Sequence, residues 1–170
     1  MKKALFCVSL CLCLLLAACE AEHAPLVMKA DYPYYSSAQE AVDAASLVFS
    51  GTVQGWDYEE LVLSEGGDPL PYTVYQVSVE KIYKGGWDDE TVPVKVLGGE
   101  LDGVSYVLEG APTLRQGENY LFAVEVYPDS YPSLINLDQS VFEMDSGVVV
   151  NSEMATTEEI TLQKMLDCFA

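Results

Sequence analysis

Glu118-Asn119-Tyr120-Leu121-Phe122-Ala123-Val124-Glu125-Val126-Tyr127 is the run whose reading decides the fold. In an extended chain successive side chains point to opposite faces, so Tyr120, Phe122, Val124 and Val126 share one face and Leu121 and Ala123 the other. A strand that is apolar on both faces has to be covered on both, by a helix or a second sheet. A single open sheet wetted on one side is therefore excluded.

Working outward, the same period of two recurs. Leu47-Val48-Phe49-Ser50-Gly51-Thr52-Val53 reads as a strand whose internal glycine suits a bulge or the tight bend of a small barrel. Tyr72 to Tyr83 is a long strand with Tyr75, Val77 and Val79 on one face, and Ile82 falls out of phase, as it does after a bulge near Glu80. Val92, Val94 and Val96 alternate with Pro93 and Lys95; proline has no N–H for a ladder, so this strand has an open edge or an outward-facing gap. Gly98-Gly99 and Asp102-Gly103 punctuate the way into Val104, Tyr106 and Leu108. Ser133 to Asp138 and Val141 to Val150 add a strand or a hairpin turning at Asp145-Ser146-Gly147.

Two capping boxes mark helices. Ser37-Ala38-Gln39-Glu40 opens a short one with Ala41, Val42 and Ala45 on one side, ending near Ser46. Thr156-Thr157-Glu158-Glu159 opens another that aligns Leu162, Met165, Leu166 and Phe169, and this helix is expected to dock on the barrel. The expected fold is mainly β: a small OB-like β-barrel with a short N-terminal helix and a C-terminal helix packed on it. Its segments resemble uncharacterised bacterial surface lipoproteins with an OB-type barrel similar to the TIMP/netrin module. The resemblance covers residues 46 to 127 through Leu47–Val53, Val77–Gly85, Val94–Gly99 and Gly117–Phe122. It implies a fold and no activity, because TIMP proteins inhibit metalloproteases through a free N-terminal cysteine, which this chain is not expected to offer.

The N-terminus supplies the reason. Lys2 and Lys3 form a positive n-region, Ala4 to Leu15 an apolar core too short to span a bilayer, and Leu16-Ala17-Ala18-Cys19 has the form of a bacterial lipobox. Residues 1–18 are thus expected to be a lipoprotein signal peptide, with Cys19 acylated after cleavage and anchored to the cell membrane from outside the cytoplasm. Residues 19–35, polar and interrupted by Pro25 and Pro33, read as a lipidated tether of on the order of 50 Å if extended. Residues 36–150 form the barrel domain and 151–170 the C-terminal helix.

Charge and chemistry narrow the function. Cleavage leaves six basic against 27 acidic residues, a net charge of −21, so nucleic acid is excluded as a partner. Cys7, Cys11 and Cys13 leave with the signal and Cys19 is acylated; Cys168, in an apolar helical pattern, remains as an inert thiol with no intrachain disulfide to form. His23 is the sole histidine and lies in the tether, which removes Ser-His-Asp, Cys-His and histidine-zinc sites from the domain. Asp145-Ser146-Gly147 has the composition of an aspartic-protease loop and equally of a turn. Asp57, Glu59, Glu60 and Asp88, Asp89, Glu90 lack the spacing of a calcium loop and read as solvated charge, so neither metal nor cofactor is expected.

Trp56, Trp87, Tyr127 and Tyr131 are the candidate ligand-binding residues, because aromatic rings at strand ends and in loops offer amphipathic surface to a sugar or peptide. The same rings also plug barrels. The expected function is a non-enzymatic, lipid-anchored module that binds a protein or carbohydrate; the competing classes are a carboxylate-based hydrolase of cell-wall sugar, needing two facing carboxyls, and a purely structural envelope protein. Replacing Cys19 with Ala is expected to abolish acylation and leave unprocessed or released protein. Mass spectrometry that finds an unmodified, membrane-retained wild-type chain starting at Cys19 would overturn the lipoprotein reading.

Overall fold

The computed structural model describes residues 24–62, 67–145 and 160–170. The signal peptide, Cys19 and the Thr156–Glu159 capping box lie outside the described residues. Strands β1 (Leu26–Met28), β2 (Leu47–Leu61), β3 (Leu70–Lys84), β4 (Thr91–Leu97), β5 (Gly99–Leu101), β6 (Val104–Leu108), β7 (Asn119–Tyr127), β8 (Ser130–Leu134) and β9 (Val141–Glu143) are joined by helices α1 (Ala38–Ala44) and α2 (Leu162–Asp167). They build a three-stranded sheet in the order β1-β6-β5 and a six-stranded sheet in the order β2-β3-β4-β8-β7-β9. The protein is thus mainly β, as its pattern requires.

In the larger sheet β7 also pairs with β2, so the strand order β2-β3-β4-β8-β7 returns to its start. The β4–β8 step is a single parallel pair, Lys95 with Ser133. With one pair at this step, the structure shows two sheets and not the clearly closed barrel that the sequence led us to expect. Pro93 is accommodated for the same reason, since the second side of β4 is otherwise unladdered.

β2 and β3 run further than the sequence suggested. Gln54-Gly55 reads as the end of a strand, but Trp56 to Leu61 continue to pair with Leu70 to Tyr75 across a register shift between Val53 and Gly55. Two further shifts lie between Val48 and Phe49 and between Ser50 and Gly51; the second leaves Glu80 without an opposite number, which is the bulge that put Ile82 out of phase. The Glu80 carboxylate accepts from Thr52 Oγ1 at 2.8 Å and Asn119 Nδ2 at 2.6 Å, bracing the bulge against β2 and β7. The β5–β6 turn places Asp102 (φ 52°) and Gly103 (φ 75°) in left-handed conformations, as a two-residue hairpin demands.

The two faces of β7 separate two cores. Tyr120, Phe122 and Val124 join Leu47, Phe49, Val53, Val77, Val94 and Val96 inside, where the Phe49 and Phe122 rings stack at 5.1 Å. Leu121 and Ala123 lie on the other side with Val48 and Phe142, under Ala41, Val42, Leu162 and Met165 of the two helices. α1 is capped by Ser37, whose side chain accepts from Glu40 N–H at 3.2 Å. α2 begins later than its sequence pattern implied: Thr161 caps it by accepting from Lys164 N–H, and Ile160 precedes it as buried non-helical chain. Among the described residues no helix is long and apolar enough to cross a membrane.

The stretch read as a free tether is corrected from Leu26 onward. Leu26–Met28 pairs in parallel with Tyr106–Leu108, and the Gln139 side chain bonds both the N–H and the C=O of Tyr35, at 2.9 and 2.8 Å. Asn136 donates to the Pro33 carbonyl. Backbone pairing and amide side chains need no apolar period, so the sequence carried no sign of this docking.

Gly51 sits where β2 comes close to β3. It faces Tyr120 across the β2–β7 ladder, and a Cβ there would lie 2.4 Å from the Ser78 carbonyl oxygen and 2.8 Å from Val77 Cγ1. Gly51→Ala is expected to cost about 1–3 kcal/mol, the usual range for overpacking. A denaturant midpoint equal to that of the wild type would contradict this account of the glycine.

Candidate functional site

β4 turns Val92, Val94 and Val96 into the inner core, which leaves Lys95 on the outer face. There it sits in a row across the sheet, beside Val74 of β3 on one side and Ser133 of β8 on the other, with Glu125 of β7 beyond Ser133. An outward lysine normally reaches water, yet Lys95 is 6% exposed. The docked N-terminal segment brings Tyr32 over this face, and together with Tyr72, Tyr127, Ser130 and Ser133 it walls a cavity of about 270 Å³ around the lysine.

Among the described residues no carboxylate pairs with the ammonium group. Lys95 Nζ donates to Ser130 Oγ at 2.6 Å and lies 4.8 Å from the ring centroid of Tyr127 and 5.9 Å from that of Tyr72, within cation–π range. Burial lowers its pKa from the ordinary lysine value. The Tyr32 hydroxyl is pushed up by burial and then by Tyr127, and the Tyr72 hydroxyl by burial, then by Tyr32 and Tyr127. Both therefore stay protonated donors at neutral pH. A second cavity of about 250 Å³ adjoins through Tyr32, Tyr127 and Ser133 and adds Glu125. These groups suit hydrogen bonding and ring stacking on a small polar ligand.

Of the four residues singled out in the sequence, the structure places Tyr127 in this cavity. Tyr131 stands on β8, with its hydroxyl donating to Glu59 Oε1 at 3.2 Å. Trp56 lies within β2, where the strand runs on past Gly55, and its half-exposed ring meets Tyr75 at 6.1 Å. Trp87 occupies the β3–β4 loop, packs on the inner core and donates its indole N–H to the Thr91 carbonyl at 2.9 Å. The expected grouping of aromatics at strand ends thus separates into a cavity wall, a surface ring and a core ring. Lys95, Tyr32, Tyr72, Ser130 and Ser133 were not found from sequence. The available signal was Lys95 itself, a basic residue inside an apolar strand of an acid-rich chain.

The remaining candidates take simpler places. Asp57 and Glu60 on β2 and Asp88, Asp89 and Glu90 in the β3–β4 loop are exposed, and among the described residues no group of three or more His, Cys, Asp or Glu side chains could hold a metal ion. Asp145 stands in a turn, and Ser146 and Gly147 lie outside the described residues. Cys168 is half-buried with its Sγ directed at the Lys164 carbonyl, and its thiol is pushed up by burial, then by Asp167 and Asp43, which keeps it a poor nucleophile.

Comparison with protein-family models and with characterised proteins finds no match to this chain. The two tryptophans give a test of their different surroundings. Trp56→Ala is expected to cost under about 1 kcal/mol, since an exposed ring contributes little. Trp87→Ala should cost about 3 kcal/mol through lost core packing and a lost hydrogen bond. Thermal melts in which the two variants fall equally would refute this division.

Proposed function

We propose that this protein is a lipid-anchored, non-catalytic binding module of the bacterial cell envelope, built on an OB-like barrel, that takes a small polar ligand in the cavity around Lys95. The observation that carries the reading is a buried lysine walled by tyrosines and serines beside the β4–β8 pairing. The strand order β2-β3-β4-β8-β7-β2, with β4 and β8 parallel, supports the OB-like barrel and with it the resemblance to TIMP/netrin-type lipoproteins. Leu16-Ala17-Ala18-Cys19 supports the anchor and an extracytoplasmic location.

A binding role fits the site better than hydrolysis. Acid–base cleavage of a glycosidic bond needs two facing carboxyls, and among the described residues the two adjoining cavities are lined by one carboxylate, Glu125. If Cys19 is acylated, residues 20–25 are all that separate the lipid from β1, a reach of at most about 25 Å, so the cavity works close to the membrane surface.

Ligand-observed NMR with the full chain in detergent, against monosaccharides, amino acids and short peptides, tests the reading. Saturable binding is expected, weakened about tenfold or more by Tyr127→Ala, which removes one wall. Binding unchanged in that variant, turnover of a glycan, or no binder across the set would each overturn it.

A further inference from the structure

We infer that the ligand of this cavity presents an oxyanion, a carboxylate or a phosphate, that pairs with the Lys95 ammonium; the inference rests on the cavity being a binding site. Lys81, over the Tyr83 ring, and Lys84, on backbone carbonyls, also lack a carboxylate partner, so Lys95 stands out among the described cations by its burial. Lys29 pairs with Glu109 at 2.7 Å, Arg115 with Glu143 at 2.5 Å, and Lys84 donates to the carbonyls of Val42 and Asp43. Lys95 is more deeply buried, yet among the described residues no carboxylate oxygen stands within 4.0 Å of it. Burying a cation is costly unless a counter-charge or several hydrogen bonds accompany it.

Among the described residues the acids stand elsewhere. The sequence has 27 acidic residues, but the row through Lys95 reads Val74 and Ser133 on the adjacent strands, and Asp57 and Glu125 stand one strand further out, with Cα atoms about 10 Å from that of Lys95 at ordinary strand spacing. Of the three ammonium protons, one is directed at Ser130 Oγ, and the other contacts are ring faces. An entering oxyanion would meet that ammonium together with the hydroxyl-bearing walls of Tyr32, Tyr72 and Ser133. The upward shift of the Tyr32 and Tyr72 hydroxyls keeps them donors to such a guest. A cationic guest is disfavoured, because Lys95 already occupies the ring faces that would attract it.

The test uses full-length protein in detergent, labelled at the lysine Cε with carbon-13, with the Lys95 signal assigned by its loss in Lys95→Met. Sodium glucuronate, glucose and inorganic phosphate are titrated in turn, at constant ionic strength. Expected is a saturable displacement of the Lys95 signal by glucuronate or phosphate, with its titration midpoint rising by about one pH unit and glucose binding at least about tenfold more weakly. Response to glucuronate identifies a carboxylate guest, and response to phosphate alone a phosphate guest. Equal binding of glucose and glucuronate with an unmoved Lys95 midpoint overturns the oxyanion inference and leaves the cavity reading intact. No response of Lys95 to either anion at millimolar concentration also overturns it. Should Lys95→Met fail to fold, assignment by Lys95→Arg replaces it, and the wild-type titration decides.

Discussion

The pairing of Leu47–Thr52 with Asn119–Val124 is the interaction on which the rest of the structure depends. It joins two stretches far apart in the chain, so the loop-closure entropy is large and has to be offset by what the pairing brings together. On the inner face it sets Phe49 against Phe122 and Gly51 against Tyr120; on the outer face it aligns Val48 with Ala123 and Ser50 with Leu121, the floor on which α1 and α2 pack. With that ladder in place, β7 emerges beyond the helices carrying Glu125 and Tyr127 on its outer face, where they line the two cavities. On its other side β2 lies so close to Val77 and Ser78 of β3 that a side chain at Gly51 would clash.

The opposite side of the sheet is held by far less. β4 and β8 share one backbone pair, and both the pair and the side-chain bond that supports it belong to Lys95, through Ser133 and Ser130. One residue thus serves the seam and the cavity. Any group that engaged the ammonium would therefore act directly on the β4–β8 pairing.

Electrostatics contribute little to holding the fold. The ion pairs Lys29–Glu109 and Arg115–Glu143 have exposed cationic partners and are screened by solvent. With a large acidic excess and no disulfide among the described residues, cohesion comes from the two apolar cores on either side of β7. The docked segment 26–35 adds backbone and amide hydrogen bonds, which fix Tyr32 over the outer face and so complete the cavity wall.

What the sequence determined by itself was local and periodic. The two-faced apolar run of β7, the bulge at Glu80, the Asp102-Gly103 turn and the Ser37 cap were all legible, because each depends on neighbours within a few residues or on the alternation of a strand. Tertiary structure alone decided the continuation of β2 past Gly55, the docking of Leu26–Met28 and the burial of Lys95. These rest on backbone pairing and on contacts between distant segments: β3 extends β2, β6 receives β1, and Tyr32, Tyr72 and Tyr127 arrive at the lysine from three separate stretches. Alternation showed that Lys95 points away from the inner core. It could not show that another part of the chain covers the outside, since nothing in a strand's period records what lies across its other face.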